Sequence, residues 1–398
     1  MRNRWWIVLI LGFIGFVTSF GAHIVAVNLP IYAEQVGVGV AIIGILIAAY
    51  DFAEIVAKPI FGALADRRGM QQTMLAGIAV FTLASLAYLV VDPKLLIVVR
   101  FVQGVGAAAL SAVSLALVGV YFTEQRGRAY GIYNAIKGAG YVVSPIIGSA
   151  IVMHSNFAAI FLAAAAIGVM AFVFALLLPE PRATQGASVH TQVFDDDDDL
   201  SLKTFLAVFK QPNLLPWYLV IVVNMFFVGI LFGFLPVRIH DLHYDPLTTG
   251  LILTAATSSY LLIQPIAGAL ADRINVATTV RIGLLLSGIA IILVPFVEGS
   301  PLVLVSILAG IGVGTVWTNT DTLVSTLAKS GQLGATMGAA GSFKEFGDML
   351  GPLLIGFLSQ AFGLTAGFVV CGGLGLMSIM LIRTATKEMQ PKDERNTA

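Results

Sequence analysis

The chain has 398 residues, of which 58% are apolar before its 41 glycines are counted, and only 11% are charged. A soluble domain is about 45–50% apolar with glycine included and about 25% charged. The mean hydropathy is +0.92 and 22 basic residues balance 22 acidic ones, which excludes a soluble enzyme, a disordered chain and a basic nucleic-acid binder. What remains is a polytopic membrane protein.

The first apolar run extends from Trp5 to about Tyr32, longer than the core of a signal peptide, and reads as a retained first span. Eleven more runs of membrane-crossing length follow, so the twelve spans centre near residues 17, 52, 81, 109, 142, 168, 226, 258, 289, 314, 348 and 374. Most connections are a few residues long. The exception is 179–212, which holds three prolines and the run Asp195–Asp199. It reads as a solvated linker, because successive like charges extend the chain. The expected domains are therefore two six-helix bundles, 1–178 and 213–398, the second with a short tail. With both ends cytoplasmic, 16 of the 22 Lys and Arg lie inside, Lys94 and Arg238 lie outside, and Lys58, Arg100, Lys137 and Lys344 fall within spans.

An internal repeat supports the division. Pro59–Arg67 (PIFGALADR) recurs as Pro265–Arg273 (PIAGALADR), an offset of 206. Gly104 and Gly106 recur at the same offset as Gly310 and Gly312, and Gly131, Gly140 and Pro145 recur at 207 as Gly338, Gly347 and Pro352. Parallel six-helix repeats of this kind build one large transporter class.

Three motifs resemble those of the major facilitator superfamily, over nearly the whole chain. Gly62-Ala-Leu-Ala-Asp66-Arg67-Arg68-Gly69 is similar to the family's loop motif between helices 2 and 3, with Gly268, Asp272 and Arg273 as its second copy. There Gly62 is expected to let span 2 approach a neighbour closely, and Asp66 to lie near the positive end of another helix. Arg100 to Ala108 in span 4 is similar to the pattern of proton-coupled members, whose arginine tunes a proton-carrying carboxylate; its counterpart in span 10 keeps the glycines but has Ser306 in place of Arg100. Gly131, Gly140 and Ser144-Pro145 in span 5 are similar to the signature of exporting antiporters, with serine where that signature has glycine, and Gly351-Pro352 stand in the second half. The same small residues also serve close, kinked packing alone.

Charges inside the spans are the candidate machinery. Asp51, Glu54 and Lys58 share one face of span 2, and Lys344, Glu345 and Asp348 lie within one turn of span 11. Asp51 and Glu345 each lie roughly 15 Å deep by helical rise. In the superfamily fold helices 2 and 11 face each other across the halves, which would bring four carboxylates together. The other half has Thr257, Tyr260 and Gln264 in place of the span 2 charges, and Lys137 opposite Lys344, so the repeated scaffold does not demand these acids. Glu54–Lys58 and Lys344–Asp348 are expected to neutralise each other within their helices. That leaves Asp51 and Glu345 either as proton carriers or as parts of a static lock between the halves.

His23 is either a proton relay or a histidine hydrogen-bonded to a neighbour. Asp321 and the midspan aromatics Tyr50, Tyr133, Phe226, Tyr260, Trp317 and Phe343 are candidate cavity residues for a lipophilic or cationic substrate. There is no phosphate-binding loop and no His-Glu-x-x-His, so no enzyme activity, cofactor or metal is expected; His240 and His243 read as an outer-loop coincidence. The sequence thus points to a monomeric, proton-coupled efflux antiporter of a bacterial inner membrane. Its partners are a small molecule, protons and the bilayer, and not nucleic acid. The alternatives are a proton-coupled importer of a sugar, organic ion or lipid-like metabolite, and a non-transporting sensor.

Overall fold

The computed structural model describes residues 5–35, 37, 39–122, 126–179, 211, 213–328, 333–380 and 382. Within them every regular element is helical. In chain order these are α1 (Trp5–Gln35), α2 (Val40–Arg68), α3 (Met70–Ala87), α4 (Leu96–Tyr121), α5 (Arg126–His154), α6 (Phe157–Leu176) and α7 (Leu215–Gly233). Then come α8 (Leu235–Asp241), α9 (Pro246–Arg273), α10 (Val276–Leu293), α11 (Gly299–Leu327), α12 (Leu333–Phe362) and α13 (Leu364–Met377). Ten segments among the described residues are long and apolar enough to cross a membrane, with α7 and α8 together forming one of them, Leu215–Asp241. The expected linker, with its aspartate run, lies almost wholly outside the described residues.

Helices suit this medium because each satisfies its own backbone where no water can. The exposed surfaces of the spans are apolar: Leu83 is 65% exposed and Leu262 73%. Among the buried side chains are Arg100 and Gln103. That inversion of the soluble pattern identifies lipid as the solvent of the spans. Helix starts are set locally. Asn156 caps α6 by accepting from the Ala159 amide at 3.1 Å, and Asn275 caps α10 by accepting from the Thr278 amide at 2.7 Å. One residue joins α2 to α3. It is Gly69, at φ +95°, a backbone conformation that side-chain-bearing residues rarely adopt.

The chain packs as two units, one of Met1–Thr191 with Leu231–Thr254, the other of Gln192–Ile230 with Ala255–Ala398. The core of the first includes Ile7, Leu11, Ile14, Phe81, Leu110 and Leu117. In the second, Trp217, Phe227 and Phe368 are fully buried, and the Phe227 ring lies flush against Gly375.

Each unit contains the same set of helix crossings, residue for residue. Gly104 of α4 abuts the Tyr50 carbonyl of α2, and Gly310 of α11 abuts the Ala256 carbonyl of α9. Gly106 lies against Phe81 and Gly77 of α3, and Gly312 against Ser287 and Gly283 of α10. Gly140 of α5 meets the Phe16 carbonyl of α1, and Gly347 of α12 meets the Val222 carbonyl of α7. All partners stand at the sequence offset of 206 or 207. At every one of these glycines an added Cβ would meet backbone within 3.0 Å, so the two sets of crossings need glycine for the same steric reason.

The segment Leu231–Thr254 completes the first unit. Phe232 packs edge-on to the His23 ring at 4.1 Å, Gly250 abuts the Pro145 carbonyl and Ser149, and Thr254 Oγ1 donates to the Val142 carbonyl at 3.0 Å.

Candidate functional site

Each unit carries its own charged cluster. In the first, α2 buries two of its acids: Asp51 is 9% exposed and Glu54 7%. Lys58 Nζ donates to Glu54 Oε2 at 2.7 Å. Side chains on a helix lean toward its N-terminus, so a lysine reaches back naturally to an acid one turn earlier.

Arg100 of α4 is 2% exposed. Its Nη1 donates to Gln103 Oε1 at 3.0 Å and its Nη2 to the Ala22 carbonyl of α1 at 3.1 Å. The Tyr50 ring lies 4.6 Å from the guanidinium carbon. Gln103 is fixed in turn: its Nε2 donates to Ser85 Oγ at 3.0 Å, and its Oε1 also accepts from the Tyr88 hydroxyl at 3.3 Å. Arg100 Nε has no hydrogen-bond partner, and no carboxylate among the described residues pairs with the guanidinium. The charge is therefore held by neutral dipoles and an aromatic face, an expensive arrangement in a span.

In the second unit, Lys344 of α12 reaches across to α11. Its Nζ donates to Asp321 Oδ2 at 2.7 Å and lies 4.8 Å from the Trp317 ring centroid. Tyr260 of α9 packs against Trp317, 5.4 Å between ring centroids. Asp321 Oδ1 is buried with no hydrogen-bond partner. Glu345 and Asp348 are partly buried on α12.

Several sequence expectations change. Lys344 pairs with Asp321 and not with Asp348, because a lysine that precedes the acid on a helix leans away from it. This moves Asp321 from the cavity candidates to the charge pairs. Tyr133 is not a cavity residue: it is 1% exposed in the core of the first unit, its hydroxyl is 2.9 Å from Ser114 Oγ, and its ring lies against Gly15. Tyr50 and Phe226 are likewise buried, Tyr50 under Arg100 and Phe226 with its carbonyl against Gly351. Phe343 stacks on Tyr218 at 4.8 Å. His23 Nδ1 donates to the Ser19 carbonyl at 2.7 Å, and its ring sits between Tyr141 at 4.5 Å and Phe232 at 4.1 Å.

The loop motifs are placed differently from the core glycines. An added Cβ on Gly62 would meet nothing within 4 Å, so among the described residues Gly62 does not make the close approach expected of it, and one on Gly268 would meet only Thr318 at 3.7 Å. Those approaches belong to Gly104, Gly140 and their counterparts. Arg67, Asp272 and Arg273 are exposed, and the side chain of Asp66 lies outside the described residues. Pro145 and Pro352 sit inside α5 and α12, where Pro352 packs against Gly229. Lys137 is partly buried on α5.

Gln103 of the span 4 motif ties Ser85 and Tyr88, which no motif singles out, to Arg100. Gln103 follows Arg100 by three residues and so shares its helix face. Ser85 lies on α3 and Tyr88 just past its end, and nothing in the local pattern ties them to Arg100.

Among the described residues every regular element is helical, one set of helix crossings is used twice, and each unit holds a charge pair at least partly withdrawn from its surroundings, which is the architecture of a membrane transporter. The chain belongs to the Major Facilitator Superfamily, whose family model matches residues 11–240 and 217–398. It is 25% identical to the multidrug resistance protein Stp of Mycobacterium tuberculosis, over 87% of this chain and 74% of that protein. It is 22% identical to the quinolone resistance protein NorA of Staphylococcus aureus, over 98% and 99%. The match to the puromycin resistance protein of Streptomyces alboniger is 30% identical over 46% of this chain and spans only 37% of that protein. Among solved structures, the fold is similar to that of a bacterial homolog of the human lysosomal transporter Spinster, with a TM-score of 0.81, 14% identity and 97% of each chain covered.

Proposed function

We propose that the protein is a proton-coupled antiporter that exports small lipophilic or cationic compounds by alternating access, through twelve spans with both ends cytoplasmic, in a bacterial inner membrane. The observation that carries this reading is the pair of charged clusters that the repeated scaffold does not require. Glu54–Lys58 stands where the second half has Tyr260 and Gln264, and Asp321 of the other pair stands where the first half has Leu115. Charges kept in spans without a scaffold role are functional groups by default. In this reading the halves are 1–178 and 213–398, joined by a flexible linker, and the monomer works alone. Asp51, Glu54, Glu345 and Asp348 carry or relay protons, Arg100 lowers the proton affinity of a carboxylate that approaches it, and the loop motifs Gly62–Gly69 and Gly268–Arg273 act as gates. One proton crossing 100 mV supplies about 2.3 kcal/mol. A substrate can shift the two facings by no more than its differential affinity for them.

Resistance proteins among the relatives favour export. A second reading, import of a metabolite, is supported by 31% identity over 46% of the chain to the riboflavin transporter RibZ of Clostridioides difficile. The test is a resistance and efflux screen in cells lacking their own exporters, with and without an uncoupler, followed by proteoliposome flux. Asp51→Asn or Glu345→Gln should abolish flux driven by a pH gradient while the protein stays folded. Full activity in both variants overturns the proton assignment.

A further inference from the structure

We propose that Asp321 and the indole face of Trp317 form a subsite for an organic cation, which the ammonium of Lys344 fills until substrate displaces it. The inference rests on the transport reading above and names the substrate class of that site.

The geometry already shows a bound cation. Lys344 Nζ makes one charge-assisted hydrogen bond, 2.7 Å to Asp321 Oδ2, and sits 4.8 Å from the Trp317 centroid. A carboxylate on one side and an aromatic face on the other is the pair of contacts that recognises organic ammonium groups. Tyr260, 5.4 Å from Trp317, extends the aromatic wall. The second oxygen, Asp321 Oδ1, is buried and accepts nothing, so the lysine leaves half of the carboxylate's capacity unused. A cation with N–H donors can hydrogen-bond both oxygens, and one without them still meets the carboxylate's charge and the indole face.

The lysine has a way out. Its side chain keeps 19% of its exposure, and that of Asp321 27%, so the ammonium can leave the carboxylate on its flexible stem without unfolding the helix. The packing of the fold does not explain the group either. At the equivalent positions of the first half, Asp321 and Trp317 are replaced by Leu115 and Ser111, although the glycine crossings around them are kept. The internal cation acts as a competitor. It scales the apparent affinity for every external cation by the fraction of time the lysine leaves the site free, so all cations bind more weakly by the same factor.

The test is equilibrium binding of radiolabelled tetraphenylphosphonium, whose charge does not titrate, to the purified full-length protein in detergent. Lys344→Met removes the competitor and should tighten binding by about tenfold or more, while Lys344→Arg stays near wild type. Asp321→Asn and Trp317→Leu should each weaken binding by about tenfold or more. Lys344→Gln, a polar replacement, covers the case in which the methionine variant fails to fold, and thermal unfolding of each variant is measured alongside. If folded Lys344→Met or Lys344→Gln protein binds tetraphenylphosphonium no tighter than wild type, the subsite is overturned. A wild-type protein that binds no tetraphenylphosphonium overturns it as well. An anionic substrate would give the opposite sign, with binding of an aryl sulfonate lost in Lys344→Met. If the affinities change as expected but proteoliposomes show no flux under a pH gradient, the subsite stands and the transport reading falls.

Discussion

Lys58 Nζ lies 2.7 Å from Glu54 Oε2, one turn earlier on α2, with the glutamate side chain 9% exposed and the lysine 26%. Removing only the lysine takes a charged partner from a buried acid. Lys58→Met should therefore destabilise the protein by about 1–3 kcal/mol, less than for a fully buried pair because the lysine is partly solvated. The double variant Glu54→Gln/Lys58→Met should recover most of that loss, with a coupling of about 1 kcal/mol in a double-mutant cycle read by unfolding in detergent. Strictly additive losses would show that the contact contributes nothing.

The Arg100 network makes a different kind of prediction. Gln103 holds the guanidinium and is itself held by Ser85 and Tyr88. Gln103→Leu strips Arg100 of one partner and leaves the Ser85 and Tyr88 hydroxyls to find others. The expected cost is about 1–3 kcal/mol. Arg100→Lys keeps the charge but cannot span both Gln103 and the Ala22 carbonyl, and should lose a comparable amount. Thermal unfolding of the two variants checks the assignment; a lysine variant as stable as wild type would show that charge alone matters.

The glycine crossings allow a paired experiment. Gly104→Ala and Gly310→Ala each push a methyl into a backbone carbonyl, of Tyr50 and Ala256 respectively. Backbone cannot rotate away as a side chain can, so each should cost about 1–3 kcal/mol. Gly62→Ala should leave stability within about 0.5 kcal/mol, because the added methyl meets nothing within 4 Å. Measured melting temperatures should separate the two classes, and a destabilised Gly62→Ala would contradict the packing described.

Asp245, between α8 and α9, starts α9 ahead of Pro246. Its carboxylate accepts from the Thr248 amide at 3.0 Å and the Thr248 hydroxyl at 2.5 Å, and these bonds hold its pKa below the ordinary aspartate value. A lowered carboxylate pKa contributes stability that is fully present above the unfolded value, about 4, and is lost as pH falls through the folded value. Asp245→Ala should thus cost about 1 kcal/mol at neutral pH. The gap to wild type should narrow only below about pH 4. Melting curves between neutral and acid pH decide it; a constant gap would mean that the cap acts without its charge.

Composition and the glycine repeat made the membrane class and the duplicated helix packing legible, because both rest on features that survive in one dimension. Apolar length reports the solvent, and a glycine at a close crossing has no substitute. The intrahelical pair Glu54–Lys58 was legible for the same reason, since helical geometry alone brings those atoms together. Lys344 was misjudged because spacing treats Lys344–Asp348 and Glu54–Lys58 as equivalent, whereas the lean of side chains along a helix makes them unlike. Tyr133 was misjudged because midspan depth does not say whether a ring faces a cavity or a neighbouring helix. Its site is set by Gly15 and Ser114 on two other helices.

The packing of Leu231–Thr254 onto the first unit means that the covalent halves and the packed units are not the same objects. The chain leaves the second unit after Ile230 and returns to it at Ala255. Cutting the chain between residues 179 and 213 would separate Leu231–Thr254 from the rest of the unit it packs in. The first fragment would lack the piece that covers His23 and Tyr141, and the second would carry that piece with its aromatic surface bare. Reassembly of such fragments would be an act of lending, one chain supplying a helix end to the other.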